Sequence, residues 1–380
     1  MFDVWYTHIM RLTAAIQLLP TPDQGDALKR TLEAANAACD YISQVAWERK
    51  TFRQFAIHKL TYQAARETFH LAAQLAVRCI GKVADAYKLD RKTRRTFQPH
   101  GAVPYDDRIL SYNRKGSEVS IWTLDGRQAI PFVCGERQRA LLATQRGETD
   151  LALVRGKWYL FVAGEIETPE SSDAEGVLGV DLGIVNIATD SDGEHFSGER
   201  VERRRQWYAS RRQALQKIGT KSAKRHLKRL AGRQRRFQKD TNHTISKRLV
   251  AKAERTKRAI VLEDLKGIRQ RARVKGPEQR ARHSNWAFGQ LRVYISYKAQ
   301  RAGVPVSFVD PAYTSQRCSA CGHTERRNRR SQAEFCCVVC NHQLRADFNA
   351  AINIEWAAVN RPMVSNPAPG VRVEAQAQVL

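Results

Sequence analysis

Two apolar runs in this chain end on a carboxylate: Val177-Leu178-Gly179-Val180-Asp181-Leu182-Gly183 and Ile260-Val261-Leu262-Glu263-Asp264-Leu265. A third acid sits in Arg345-Ala346-Asp347-Phe348-Asn349-Ala350-Ala351. A buried strand normally ends on something neutral, because an unpaired buried carboxylate is costly. That cost is removed when several such groups converge on divalent cations. The pattern therefore constrains the chain to a fold that gathers strand ends. It also points to a reaction class, metal-dependent phosphodiester hydrolysis. Each acid has a plain local alternative. Asp181 can end a strand and open a turn, Glu263-Asp264 can cap a helix, and Asp347 can cap the helix after it. Taken together, in this order and with these neighbours, they favour the convergent reading. Asp264 rivals Glu263; the register favours Glu263, which directly ends the apolar run.

At 380 residues the chain has room for two or three domains, and 42% hydrophobic residues suffice for real cores. No apolar run reaches membrane-spanning length, and the start lacks the plan of a signal peptide, so a cytoplasmic, reducing setting is expected. The formal net charge is +26. A basic chain of this size most often binds nucleic acid, with an anionic membrane the weaker alternative.

Residues 7–19 read as a strand. Pro20-Thr21-Pro22-Asp23 breaks it and opens a helix to about Trp47, with Thr21 as cap and Pro22 at the first position. A second helical block runs from about Phe55 to Leu89. Between Pro99 and Glu167 the pattern becomes strands and hairpins, including Val119–Thr123, Ala129–Val133, Asp150–Val154 and Trp158–Val162 with turns at Asp125-Gly126 and Arg155-Gly156. This predicts an antiparallel β module. The strand at 7–19 can pair with it, which would make the helices an insertion. Residues 168–176 are a polar linker. Strands are then expected at 177–181, 184–189 and just after the Asp192-Gly193 turn. A basic helical stretch follows at 200–258, then a strand at 259–263, a basic loop at 269–282, a helix near 286–302, a strand at 304–309 and a last helix near 347–359. The tail from Arg361 is Pro-rich and expected to be flexible.

The 200–258 stretch holds 22 Lys and Arg against three acids (Glu202, Asp240, Glu254), a net +19 out of the chain's +26. One-signed charge on this scale would self-repel without a polyanion. The spacing of Arg203, Arg204, Arg205, Arg211, Arg212, Lys224, Arg225, Lys228, Arg229, Arg233, Arg235 and Arg236 suits a phosphate backbone, which positions without reading sequence. Trp207, Tyr208 and Phe237 lie among them and can stack on bases or pack inward. The plain alternative is a solvated charged helix pair.

Five of eight cysteines fall between Cys318 and Cys340. Cys318-x-x-Cys321 and Cys337-x-x-Cys340 have the spacing of a four-thiolate zinc site. Cys336 offers a competing register, but Cys-x-x-x-Cys suits a ribbon knuckle less well. His323 and His342 read as surface or phosphate contacts rather than ligands. A closed four-cysteine site is structural, so this Zn²⁺ is not the catalytic ion. Cys39, Cys79 and Cys134 read as small buried hydrophobes.

The order β-β-β-helix-β-helix-β, with acids at strand ends and on a late helix, suits a ribonuclease-H-like α/β sheet. Two carboxylates from neighbouring strands and one from a helix could hold two Mg²⁺ about 3.5–4 Å apart. Hard oxygen ligands select Mg²⁺ or Mn²⁺.

The motifs Gly179-Val180-Asp181-Leu182-Gly183, Leu262-Glu263-Asp264-Leu265, Tyr313-Thr314-Ser315-Gln316-x-Cys318-Ser319-x-Cys321-Gly322, Phe335-x-Cys337-x-x-Cys340 and Ala346-Asp347-x-Asn349-Ala350-Ala351-x-Asn353-Ile354 together resemble the TnpB family of transposon-encoded, RNA-guided DNA endonucleases. That family is related to compact type V CRISPR effectors. The resemblance spans 177–354; the N-terminal half is similar only in layout. It implies a multidomain fold: a wedge-like β-barrel (1–20 and 99–170) interrupted by a helical recognition domain (21–98), a RuvC nuclease domain (171–312 and 343–360) and an inserted zinc ribbon (313–342), with a tail at 361–380. It implies Asp181, Glu263 and Asp347 as catalytic Mg²⁺ ligands and Cys318, Cys321, Cys337 and Cys340 as Zn²⁺ ligands. The partners implied are a guide RNA and double-stranded target DNA, with base pairing reading the sequence; a monomer is favoured. Asn341 stands where the family usually has Gly. The alternatives are a miniature CRISPR effector, a nuclease-silent RNA-guided repressor, and a transposase acting without guide RNA.

Overall fold

The computed structural model describes residues 9–113, 117–265, 276 and 288–360. They fall into two compact units, 9–167 and 168–360.

In the first unit, β1 (Ile9–Leu18) alternates, with Ala14, Ile16 and Leu18 turned into the core. It pairs antiparallel with β7 (Lys157–Glu167) and, at its end, with β5 (Gly126–Val133). The other strands are β2 (Val103–Tyr105), β3 (Leu110–Asn113), β4 (Glu118–Thr123) and β6 (Gln145–Val154). The sheet has seven strands in the order β2-β6-β7-β1-β5-β4-β3. It curls toward closure: Tyr105 of β2 donates to the Trp122 carbonyl of β4 (3.1 Å), and Tyr112 of β3 reaches Thr149 of β6 (3.4 Å). The β6–β7 hairpin turns through Arg155 and Gly156, both at positive φ, as a tight hairpin demands. A short helix, α4 (Glu136–Ala143), interrupts the strands where the sequence pattern indicated none.

Three helices lie between β1 and β2. Helix α1 (Pro22–Glu48) starts with the expected cap. Thr21 accepts from the Gln24 N–H (3.3 Å), and Gln24 accepts in return from the Thr21 N–H (3.1 Å). The block expected from Phe55 to Leu89 is two helices, α2 (Gln54–Thr68) and α3 (Ala73–Leu89). The chain breaks at His70, held at φ +52, and the Leu71 N–H returns to the Arg66 carbonyl. No Gly or Pro marks the spot, so apolar spacing alone ran through it. Cys39 and Cys79 are buried in the core these helices share with the curled sheet.

The second unit is built on a five-stranded sheet, order β10-β9-β8-β11-β12. Its strands are β8 (Gly176–Asp181), β9 (Asn186–Asp190), β10 (His195–Ser197), β11 (Arg258–Glu263) and β12 (Val306–Val309). β11 runs parallel to both β8 and β12; β9 and β10 are antiparallel additions. Strand β9 starts at Asn186, two residues later than expected, because Gly183–Val185 turn the chain. The basic stretch forms α5 (Glu199–Ile218) and α6 (Lys221–Arg255), separated by Gly219 at φ +66 and capped by Thr220. Helix α7 (Phe288–Arg301) and helix α8 (Ala346–Asn360) complete the layers. One sheet face buries Leu178, Val180, Ile260 and Leu262 against Ile245, Leu249 and Ala253 of α6 and Leu291, Ile295 and Ala299 of α7. On the opposite face Val261 and Val309 pack against Ile354 of α8. A β-ribbon, β13 (Glu334–Cys336) with β14 (Gln343–Arg345), belongs to the cysteine-rich segment. The basic loop expected at 269–282 lies outside the described residues except for Gly276, and the tail from Arg361 lies wholly outside them.

Candidate active site

Strand alternation decides where the first two acids point. Val180 and Leu262 face α6 and α7, so their neighbours Asp181 and Glu263 face the side of α8. Leu262 pairs with Val180, which puts Asp181 and Glu263 side by side at the ends of adjacent strands. Helix α8 then brings the third acid, since Asp347 lies in its first turn. The helix approaches β8 very closely. A side chain at Gly179 would place its Cβ 2.3 Å from the Ala351 carbonyl and 2.6 Å from the Glu355 nitrogen. Only glycine lets helix and strand meet there.

The three carboxylates share one electrostatic problem. Burial pushes the Asp181 carboxyl well above the usual range, and the charges of Glu263 and Asp347 push it further; Arg329 and the Leu182 N–H act against them. Burial also raises Glu263, while the Thr314 hydroxyl and Arg329 restrain the rise. Like charges crowded in a partly desolvated place call for a cation. Among the described residues, though, only the cysteine cluster gathers metal-capable atoms within 4.8 Å of one another. The acids are spread more widely, a spacing compatible with a two-ion centre.

Several residues around the acids were not singled out as functional from the sequence. The Thr314 hydroxyl donates to Glu263 Oε1. The Asn186 amide donates to Asp347 Oδ2 (2.9 Å), and Arg329 stands 3.8 Å from Asp347 Oδ1. Arg329 lies between the two cysteine pairs, where one arginine among many gives no signal. Asp264, the rival of Glu263, pairs with Arg292 (2.7 Å).

The sulfurs of Cys318, Cys321, Cys337 and Cys340 converge, with Cys318–Cys340 at 3.7 Å and Cys321–Cys337 at 3.6 Å. Cys336 instead pairs in β13 opposite Gln343. The two knuckles match. Cys318 N–H bonds the His323 carbonyl and Gly322 N–H the Cys318 carbonyl; Cys337 N–H bonds the His342 carbonyl and Asn341 N–H the Cys337 carbonyl. Gly322 and Asn341 occupy equivalent left-handed positions, φ +77 and +57. Asn tolerates this backbone, so the departure from Gly leaves the knuckle intact. Burial opposes ionisation of Cys337, but the N–H groups of Cys340 and Val339 together with the Cys321 and Cys340 thiols outweigh it and lower the thiol to about 6. A soft, closed, four-sulfur set fits Zn²⁺. Buried Asn328 ties the knuckles together: its amide donates to the Gln316 and His323 carbonyls, and its oxygen accepts from the Val338 N–H. His323 contacts Glu325 (3.3 Å).

The basic residues lie on α5 and α6. Arg203, Arg204, Arg211, Arg212, Lys224, Arg225, Lys228, Arg229, Arg233, Arg235 and Arg236 are exposed. Arg205 differs: its guanidinium is mostly buried and grips Glu202 within the helix (2.8 and 2.7 Å). Of the aromatics, Tyr208 packs inward, Trp207 is 44% exposed, and Phe237 lies under Arg200 and Arg204, each 5.7 Å from its ring.

Residues 161–267 match a family model described as a probable transposase, and residues 288–354 match one described as Cas12f1-like, TNB domain. The chain is 30% identical over 191 residues to a TnpB-like protein of Methanocaldococcus jannaschii and covers 68% of that protein. It belongs to the TnpB-like family. It is also 32% identical over 221 residues to the CRISPR-associated endodeoxyribonuclease Cas12f1 of Sulfoacidibacillus thermotolerans, in a match covering 53% of this chain and 50% of that one. The InsQ protein of Escherichia coli (strain K12), whose name proposes an RNA-guided DNA endonuclease, is 30% identical over 58% of this chain and 61% of its own. The chain thus spans about half the length of the first of these nucleases. In fold it is similar to the protein of a Cas12f1–sgRNA–target DNA complex: TM-score 0.62 at 14% identity, covering 88% of this chain and 83% of that one. Among the described residues no helix is long and apolar enough to cross a membrane.

Proposed function

We propose that the chain is an RNA-guided DNA endonuclease of the transposon-encoded kind, working in the prokaryotic cytoplasm, with a RuvC-type, ribonuclease-H-like centre formed by Asp181, Glu263 and Asp347. The observation that carries this is the placement of two strand-end carboxylates on the sheet face covered by the helix that bears the third. Oxygen donors alone would hold two Mg²⁺, or Mn²⁺, and the chemistry such ions supply is activation of water and stabilisation of the leaving 3′ oxygen. The chain's own residues do the rest. Asn186 and Arg329 orient Asp347 and offset its charge, and Gly179 lets α8 come close enough for the three acids to converge. The zinc ribbon carries Arg329 and serves as scaffold. The exposed cations of α5 and α6 grip phosphates of a guide RNA–target DNA duplex, while base pairing selects the sequence. The first unit supplies the wedge-like barrel and its helical recognition insertion.

The relatives' names come from both transposons and CRISPR systems, so genomic context separates those two readings: a repeat array supports the effector, a transposon end the other. A nuclease-silent repressor is disfavoured because all three acids are present. The deciding experiment is to express the gene with its native flanking DNA, purify the protein and sequence the RNA that accompanies it. Cleavage of a matched duplex in Mg²⁺ that is lost after RNase treatment supports guidance. Cleavage that survives removal of all RNA refutes it.

A further inference from the structure

Thr314 is neither one of the acids nor a zinc ligand, yet it is buried while Tyr313 before it is 65% exposed. The chain reaches it through a costly turn. Tyr313 is held at φ +66, a backbone region a bulky residue rarely adopts, and its carbonyl receives the N–H groups of Gln316 (2.9 Å) and Arg317 (3.0 Å). The turn delivers the Thr314 hydroxyl to Glu263. An ordinary hydroxyl in such a turn would be satisfied by the Pro311 carbonyl, 3.1 Å away. Here a carboxylate competes for the same proton.

Helix α8 holds this segment from the other side. Buried Asn353 donates to the Thr314 carbonyl (2.9 Å) and the Arg317 carbonyl (2.6 Å), and accepts from the Arg317 guanidinium (2.9 Å). One turn earlier, buried Asn349 donates to the Arg317 carbonyl (2.8 Å) and accepts from the Ser319 N–H (3.0 Å). Two amides spaced i, i+4 on one helix face thus fix the stretch leading to the first zinc ligand. The same helix carries Asp347.

We infer that Thr314 is a positioning residue for Glu263, held in place by Asn353, so that one helix sets Asp347 directly and Glu263 through the Thr314 hydroxyl. The inference rests on reading the three acids as a divalent-cation site. Outer partners of metal-binding carboxylates commonly control affinity in this way.

The test uses the full chain with its RNA and follows Mn²⁺ binding by electron paramagnetic resonance alongside kcat and KM for cleavage. Thr314→Val keeps the shape and removes the hydroxyl; Mn²⁺ affinity should fall ~10- to 100-fold, with kcat falling more than KM rises. Thr314→Ser keeps the hydroxyl and should restore most of the affinity. Thr314→Ala repeats the measurement without a branched side chain should the valine variant fold poorly. Asp181→Ala is the control for the underlying site. If it binds Mn²⁺ like the wild type, the acid site itself is misread. If it loses Mn²⁺ while Thr314→Val binds normally, or if Thr314→Ser is as weak as Thr314→Val, the positioning role is overturned.

Discussion

The second unit gathers two sets of side chains able to ligate metal, and it gathers them in opposite ways. The four cysteines lie within 23 residues of one another, and two short knuckles bring their sulfurs into contact. The three acids lie 82 and 84 residues apart along the chain, and a sheet and a helix bring them to one face. The four sulfurs are soft and converge closely enough to enclose one ion. The carboxylates are hard oxygen donors and more widely spaced. Local assembly suits a small rigid scaffold, whereas assembly from distant elements lets the basic helices α5 and α6 and the cysteine ribbon be inserted between the acids.

The comparison can be broken most severely at Asp181. Asp181→Ala should lower cleavage of matched DNA at least ~1000-fold, the scale of losing several kcal/mol of metal-ion stabilisation. A band-shift assay should show RNA and DNA binding little changed, because the exposed cations proposed to grip phosphate lie on α5 and α6. Retained Mg²⁺-dependent cleavage by this variant would remove Asp181 from the centre.

Next comes the thiolate set. Cys337→Ser should take bound zinc, measured by elemental analysis, from one ion per chain to none. Limited proteolysis should then open the ribbon, since structural zinc contributes on the order of 10 kcal/mol in small zinc domains. Cys336→Ser should keep its zinc. The reverse result would move the ligand register by one residue.

A smaller effect follows from the raised carboxyl of Asp181. Its folded-state pKa exceeds its unfolded one, so ionising it near neutral pH costs stability in the metal-free protein. Asp181→Asn should therefore raise the melting temperature of metal-free protein at pH 7, by about 2–4 °C for each kcal/mol relieved. The difference should shrink as pH falls toward the unfolded value near 4, where wild type is neutral as well. Adding Mg²⁺ should reverse the order, since only the wild type keeps the full ligand set. Scanning calorimetry with and without the ion checks both signs.

The smallest effect belongs to Asp264, which pairs with Arg292 rather than with the other acids. Asp264→Asn should cost under about 1 kcal/mol, as partly exposed ion pairs do, and should leave cleavage within a few-fold of wild type. A loss as large as that of Asp181→Ala would restore Asp264 as the second ligand.

How much was legible depended on how local the signal was. The Thr21-Pro22 cap, the Asp125-Gly126 and Arg155-Gly156 turns and the cysteine register are written within a few residues each, and the structure follows them. The break at His70 carries no Gly or Pro, and helix α4, though opened by Gly135, is only eight residues long, so the pattern read past them. Arg205 was grouped with its basic neighbours because charge counting is blind to Glu202 three residues earlier on the same helix. Thr314, Asn353 and Asn328 matter through hydrogen bonds to partners from 5 to 51 residues away, which spacing alone does not announce.

By itself the sequence determined which residues are candidates for the chemistry. Apolar runs that end on acids, paired Cys-x-x-Cys spacings and a one-signed basic stretch are properties of residue type and interval. Only the tertiary structure decided how they act together. Strand alternation turned Asp181 and Glu263 toward α8, Gly179 let that helix approach, and Thr314, Asn186 and Arg329 came into reach of the carboxylates. The physical reason is range. A turn or a knuckle is fixed by neighbours in sequence, whereas desolvation, charge repulsion and hydrogen bonding act between whatever the packed layers bring within a few ångströms.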